Sequence, residues 1–169
     1  MELRDGSIVL RPWSGDDAAA VYEACQDREI QRWISVIPRP YTREHARAFV
    51  ASADPERHQL AIVEDGRVVG AMALRRAERG TGRIGYWCVS GERGRGIATR
   101  ALRRLCRHAL DELGFERLEL VTDPDNVASQ RVAEKAGFQR EGVLRSHLRH
   151  PDGRRRDSVM FSLLPGELR

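Results

Sequence analysis

The spacing of hydrophobic and polar positions changes along the chain and predicts a succession of strands and helices. Short apolar or alternating stretches predict strands over 8–12, 59–64, 67–77, 83–89, 118–122, 138–147 and 155–163. Apolar positions at helical spacing predict helices over 16–25, 42–53, 97–113 and 127–136. The segment 32–41 contains two prolines and is expected to be irregular. This order predicts a mixed α+β fold, with a mostly antiparallel sheet and helices on its faces.

Glycine residues mark where several of these elements end. Asp65-Gly66 is the strongest short-range hairpin signal in the chain, and residues 80–82 are expected to form a further turn. Gly114 and Gly137 follow the two C-terminal helical patterns, and each is expected to end its helix.

Length and composition indicate a globular protein. The chain has 169 residues, of which 41% are hydrophobic and 32% charged, so we expect residues 1–169 to form a single domain. No apolar run approaches the roughly 20 residues of a membrane helix. The N-terminus lacks the apolar core of a signal peptide. We therefore expect no membrane partner and a cytoplasmic location.

The cysteine and histidine pattern argues against cross-links and metal sites. The three cysteines, Cys25, Cys88 and Cys106, are odd in number and scattered, which does not suit a disulfide framework or a zinc site. His147 and His150 lie close together, but no cysteine or carboxylate pair accompanies them. No metal is therefore expected.

The charge balance is mildly basic. Twenty-nine basic residues against 25 acidic ones leave a net charge of +4. This suits surface solubility, and it also suits attraction of a polyanionic cofactor or an acidic partner. The chain has no nucleic-acid recognition motif and no evident basic helix face, so no nucleic-acid partner is expected.

The turn between the strand at 83–89 and the helix at 97–113 has the chemistry of an anion site. Gly94 and Gly96 let the backbone approach a ligand closely, because neither has a Cβ atom. The free N–H groups and the dipole of the following helix favour a phosphate. Arg93 and Arg95 are expected to add positive charge. Neither a Walker A loop nor a dinucleotide fingerprint is matched, and such a turn alone could equally be a connection without a ligand.

The residues of this turn resemble the acyl-CoA pyrophosphate loop of the GNAT superfamily of N-acyltransferases, with the pattern Q/R-x-x-G-x-G/A. Further family motifs follow in order: Leu10-Arg11-Pro12-Trp13, Ile84-Gly85-Tyr86-Trp87, Asn126-x-x-Ser129 and Glu134-Lys135-x-Gly137-Phe138. The set spans nearly the whole chain and is similar to the branch of ribosomal-protein N-terminal acetyltransferases, the RimJ and RimL type. The resemblance implies an acetyl-CoA-dependent N-acetyltransferase whose sheet splays at its centre, where acyl-CoA wedges between the two middle strands.

The resemblance also implies which residues bind the cofactor. The pyrophosphate would be held by backbone N–H groups of the turn, from Arg95, Gly96, Ala98 and Thr99, with Arg93 and Gly94 nearby. Cys88 and Val89 would pair with the pantetheine arm, and the N–H of Val89 would polarise the thioester carbonyl. Asn126 and Ser129 would lie beside the cofactor where the later helix begins.

The implied reaction is direct attack of a neutral amine on the thioester, which needs no covalent enzyme intermediate, so Cys88 is not required as a nucleophile. The catalytic candidates are Ser129, as proton donor to the leaving thiolate, together with Asn126 and Tyr86. Many relatives carry a glutamate base where this chain has Arg83. A water molecule, the Tyr86 hydroxyl or a carboxylate elsewhere would then act as the base.

The candidate acceptor-binding residues are Trp33, Tyr86, Trp87 and Arg145. Tyr86 and Trp87 alternate along a strand, so we expect only one of them to face the acceptor. Trp33 either walls the acceptor site or anchors a core, and Arg145 either binds an acidic group or lies on a solvated edge.

The expected acceptor is a primary amine, either a protein or peptide N-terminus or a small molecule, and the expected oligomeric state is a monomer or homodimer. The alternative function is a non-catalytic acyl-CoA-binding module, which the missing glutamate leaves open.

Overall fold

The computed structural model describes residues 2–54, 58–150 and 152–168, and its strands form one eight-stranded sheet. The strands are β1 (Leu3–Asp5), β2 (Ile8–Pro12), β3 (Gln59–Glu64), β4 (Arg67–Arg76), β5 (Thr81–Cys88), β6 (Arg117–Thr122), β7 (Gln139–Arg149) and β8 (Arg155–Leu163). The helices of this part of the chain are α1 (Ala18–Ala24), α2 (Arg28–Trp33), α3 (Arg43–Ala51), α4 (Ile97–Asp111) and α5 (Val127–Ala136).

The strand order in the sheet is β1-β2-β3-β4-β5-β6-β8-β7. Neighbouring strands are antiparallel except for β5 and β6, which are parallel and are connected through α4. The predicted mixed fold with a mostly antiparallel sheet is therefore confirmed.

The sheet opens at its centre, between the two parallel strands. Pairing of β5 with β6 runs from Thr81↔Arg117 only as far as Ile84↔Leu120. Beyond this point β5 stays paired with β4 and β6 stays paired with β8. The two halves of the sheet therefore separate in the direction of Cys88 and Thr122, which confirms the predicted central splay.

Two hydrophobic clusters support the sheet. The larger one packs α4 and α5 against the strands, and the buried face of α4 is formed by Ile97, Ala101, Leu102, Leu105, Cys106 and Ala109. This face follows the apolar spacing that predicts the helix. The smaller cluster joins α1 to α3 through Val21, Cys25, Tyr41, Ala46 and Val50. No helix in the described residues is both long and apolar enough to cross a membrane.

The structure adds two short elements to those predicted. Strand β1 has three residues and pairs with β2, and α2 has six residues where the pattern shows no periodicity. Both are too short for a hydrophobic period to show in the sequence. Helix α2 begins because the carboxylate of Asp27 accepts the N–H groups of Glu29 and Ile30. The predicted irregular segment therefore starts after Trp33.

The predicted turn at 80–82 is shifted, because Gly82 belongs to β5. A Cβ atom at this position would lie 2.7 Å from Leu74 Cδ1 and 2.9 Å from Leu118 Cδ2. Glycine is needed here because the neighbouring side chains leave no room for a Cβ atom. The turn itself lies before Thr81, where β5 begins.

Candidate functional site

A cleft of about 1210 Å³ lies against the sheet where β5 and β6 separate. Its far wall comes from α3 and from the segment between α2 and α3. Six aromatic residues line it: Trp13, Trp33, Tyr41, Phe49, Tyr86 and Trp87. The volume and the mixture of apolar walls with a few polar groups suit a small ligand or the end of a peptide.

Two hydroxyl groups meet at the opening of the sheet. The hydroxyl oxygen of Tyr86, on β5, lies 2.9 Å from Oγ of Ser129, in the first turn of α5. Burial raises the pKa of Tyr86 to about 12, although the hydrogen bond with Ser129 acts in the opposite direction. Tyr86 therefore stays protonated near neutral pH and is suited to donating a proton rather than to acting as a base.

Asn126 sets the position of Ser129. The Asn126 side-chain oxygen accepts the backbone N–H of Ser129 at 3.1 Å and caps α5. Both residues line the cleft together with Tyr86, so the structure brings the three predicted catalytic residues to one place.

The loop before α4 leaves room for an anion. Gly94 and Gly96 both have a φ of 79°, and a Cβ atom built on either would meet no atom within 4 Å. Gly96 precedes α4, and no side chain caps the first-turn N–H groups of this helix. These features fit the pyrophosphate that the resemblance places here.

The arginine side chains of this loop do not point into that space. Arg93 pairs with Asp27 and Glu29, and Arg95 pairs with Glu64 and Glu92. The two arginines are expected to add positive charge, but nearby carboxylates balance both guanidinium groups.

The backbone at the end of β5 corrects the predicted oxyanion donor. The N–H of Val89 donates to the carbonyl oxygen of Val69 on the β4 side, at 3.0 Å, and is therefore not free for a thioester. Backbone N–H groups of a strand alternate in direction, so the N–H of Cys88 points toward the opening instead. Burial raises the pKa of the Cys88 thiol to about 11, which keeps it neutral and unsuited to nucleophilic attack.

The predicted acceptor residues divide into two groups. Trp33, Tyr86 and Trp87 line the cleft. Tyr86 and Trp87 both do so, contrary to the alternation argument, because the cleft continues through the opening between the strands. Arg145 is exposed on β7 and is not part of the cleft lining, so the structure gives it no place at the acceptor site.

Two ion pairs in the cleft are absent from the sequence analysis. Arg83 Nε lies 3.2 Å from Glu119 Oε2, because these residues are register partners in the parallel pair of strands. Arg156 Nη1 lies 2.8 Å from Asp123 Oδ2. Burial alone would raise the pKa of Asp123, but hydrogen bonds from Arg156 and a backbone N–H hold it below its usual value. No local signal predicts either pair, since each joins strands that are remote in sequence.

Metal ligands are not clustered in the described residues, where no group of three or more histidine, cysteine, aspartate or glutamate side chains could hold an ion.

Comparison with known proteins decides the family. Residues 7–139 match the family model described as "Acetyltransferase (GNAT) domain". The chain belongs to the GNAT family. The predicted family is thereby confirmed, and the protein is an N-acetyltransferase.

Individual GNAT relatives agree with this assignment. The chain is 37% identical over 160 residues to "Probable N-acetyltransferase YjcK" of Bacillus subtilis (strain 168), covering 87% of this chain and 88% of the relative. It is 31% identical over 86 residues to "Ribosomal-protein-serine acetyltransferase" of Escherichia coli (strain K12), covering 50% and 48% of the two chains. The solved structure described as "Mycobacterium smegmatis RimJ in complex with CoA-disulfide" matches with a TM-score of 0.86 and 27% identity, covering 99% and 88%. The predicted RimJ/RimL-like branch is supported.

Proposed function

We propose that this GNAT protein transfers the acetyl group of acetyl-CoA to the amine of a protein or peptide N-terminus. The observation that carries the proposal is the Tyr86–Ser129 hydroxyl pair, which lies where the opened sheet meets the cleft. This arrangement lets a donor enter from the α4 side and an acceptor from the opposite side.

The donor would be held mainly by backbone groups. The free N–H groups of the first turn of α4 and the open space beside Gly94 and Gly96 suit the pyrophosphate. The edge of β5 at Cys88 pairs with no other strand, and the N–H of Cys88 there suits the pantetheine arm, which would lie along this edge. When bound, acetyl-CoA supplies the thioester carbonyl that the amine attacks.

Three groups of the chain would then take part in the transfer of the acetyl group. The N–H of Cys88 replaces that of Val89 as the donor to the developing oxyanion. Ser129 donates a proton to the leaving thiolate, and the hydroxyl of Tyr86 orients Ser129 and can return a proton to it.

The acceptor amine must also lose a proton, and Glu119 is the carboxylate best placed to receive it. Glu119 lines the cleft beside Leu120, the last residue of β6 that pairs with β5. Its carboxylate is held by Arg83 and Arg117. Its place in the cleft suits removal of the proton from the ammonium that forms after attack.

The charge of the cleft favours an acceptor with one amine and an apolar body. Its arginines are Arg75, Arg76, Arg83 and Arg156, and its carboxylates are Glu78, Glu119 and Asp123. Because these positive and negative charges nearly cancel, the cleft would not attract a polycationic acceptor. The aromatic wall suits the first side chain of a peptide. The name of the Escherichia coli relative, a ribosomal-protein-serine acetyltransferase, also supports a protein acceptor.

The experiment is acetylation of lysine-free peptides with varied free N-termini, followed by mass spectrometry. We expect one acetyl group on a subset of peptides, and about a hundredfold less product with Ser129→Ala over the same time. Acetylation of a small monoamine but of no peptide would move the acceptor class to small molecules. Preferential acetylation of a polyamine would overturn the argument from cleft charge.

A further inference from the structure

The side chain of Arg93 turns away from the phosphate loop and joins three parts of the molecule. Its Nη1 donates to Glu29 Oε2 at 2.6 Å, and its Nη2 donates to Asp27 Oδ2 at 3.0 Å. Both Nε and Nη2 donate to the carbonyl oxygen of Cys88, at 3.2 Å each. One guanidinium group therefore links the start of α2, the phosphate loop and the end of β5.

The geometry of this contact uses the planar fork of arginine. Asp27 is largely buried, and its two oxygens have separate tasks, since Oδ1 caps α2 and Oδ2 accepts from Arg93. Charge-assisted bonds to two carboxylates hold the guanidinium in one orientation. A lysine could not reach the same three partners at once.

The elements joined by Arg93 face the two substrates. Helix α2 ends at Trp33, and Trp33 with the residues that follow it forms a wall of the acceptor cleft. At the other end, Arg93 donates to the carbonyl oxygen of Cys88, which faces away from β4 and toward the opening, on the same side as the N–H of Cys88. Arg93 thus ties the acceptor wall to the strand that holds the donor.

We propose that Arg93 is a positioning residue that couples the donor site to the acceptor wall, and that its side chain does not bind the pyrophosphate. The acceptor part of this inference rests on the proposed function. A helix of six residues is not stable by itself, so its tertiary contacts decide the position of Trp33, and Arg93 adds to those of Ile30 and Gln31. Because linkage is reciprocal, acetyl-CoA bound at the loop strengthens binding of the acceptor, and the acceptor strengthens binding of acetyl-CoA to the same degree.

The test compares Arg93→Met with Arg100→Met. Arg100 is a matched control because its guanidinium also bonds a carboxylate and a carbonyl oxygen, both of Asp5, at similar exposure. For each variant we would measure the dissociation constant of acetyl-CoA by calorimetry, the acceptor KM and kcat, and hydrogen exchange of amides 28–37.

Arg93→Met should raise the acceptor KM by about tenfold or more, because the acceptor wall loses its position. It should also speed exchange in α2, and it should leave the affinity for acetyl-CoA in the absence of acceptor nearly unchanged. Arg100→Met should change none of these. A large loss of acetyl-CoA affinity with unchanged exchange in α2 would overturn the proposal, because it would show that the Arg93 side chain binds phosphate.

A second variant removes the carboxylate partners of Arg93 and leaves Arg93 itself unchanged. Asp27→Asn combined with Glu29→Gln removes both carboxylates but keeps a good N-cap for α2. It should reproduce the exchange and KM changes of Arg93→Met without altering the loop, and an unchanged acceptor KM would contradict the coupling. Exchange and calorimetry need no turnover. If the wild-type protein acetylates no peptide, the proposed function fails, while these two measurements still decide the role of Arg93.

Discussion

The proposed donor side and the proposed acceptor side of this protein are built in different ways. The donor side is formed by the backbone of one continuous segment, from Cys88 to the first turn of α4, where glycines leave open space. The acceptor side is formed by side chains from helices and strands that are far apart in sequence. Backbone groups do not change with the amino acid, whereas each side chain of a cleft can be exchanged alone. Binding of the donor therefore depends on the open space beside the loop backbone, whereas the choice of acceptor depends on the side chains that line the cleft.

The largest expected effect is on the donor side. Gly96→Glu places a side chain and a negative charge in the phosphate space, so the affinity for acetyl-CoA should fall by about a hundredfold or more. Calorimetry would measure this loss. Gly153→Glu makes the same change at a glycine between β7 and β8, where φ is 86° and a Cβ atom would also meet nothing within 4 Å, and it should keep the affinity. Equal affinity of both variants would remove the phosphate site from the loop.

The next largest effect is expected from Ser129, which lies between the donor side and the acceptor side. Ser129→Ala should lower kcat by about a hundredfold, because the thiolate loses its proton donor. The affinity for acetyl-CoA and the capping of α5 should remain, since the cap of Asn126 uses the backbone N–H of residue 129. Steady-state kinetics and calorimetry together check this prediction. Unchanged turnover would leave Ser129 with a structural role only.

A smaller effect is expected on the acceptor side. Glu119→Gln should lower kcat by about tenfold, since a water molecule can still carry the proton at lower efficiency. The acetyl-CoA affinity should stay the same. Glu141→Gln is the control, because Glu141 also pairs with Arg117 but does not line the cleft. Equal activity of the two variants would exclude Glu119 as the proton acceptor.

The smallest effect concerns stability, away from both sides. Hydrogen bonds from Arg117 and then from Ser162 lower the pKa of Glu141 from 4.5 to about 2. A carboxylate with a lowered folded-state pKa stabilises the protein above its unfolded pKa, and this contribution is lost as the pH falls toward 2. Glu141→Gln should therefore lower the free energy of unfolding at pH 7 by about 1 kcal/mol, the exposure of the pair keeping it small.

Urea denaturation at pH 7 and at low pH measures this difference. The wild-type protein and the variant should converge as the pH approaches the folded-state pKa. A difference that stays constant with pH would show that packing rather than charge is responsible.

The sequence correctly predicts the strands and helices whose hydrophobic residues have a clear period, and most of the turns that contain glycine. The spacing along α4 matches its buried face, because helix periodicity is a property of neighbouring residues. The family motifs also point correctly to a splayed sheet and to an N-acetyltransferase. The short helix α2 and the strand role of Gly82 were not predicted, because one depends on a single cap and the other on side chains of remote strands.

The sequence by itself therefore determined the family and the reaction class, since these depend on motifs of contiguous residues. Only the tertiary structure decided that Val89 is bonded within the sheet, that Arg93 and Arg95 are neutralised, and that Glu119 lies beside Arg83. These contacts join residues up to 66 positions apart. They exist only after strand register and helix packing are established, and no local pattern encodes either of these.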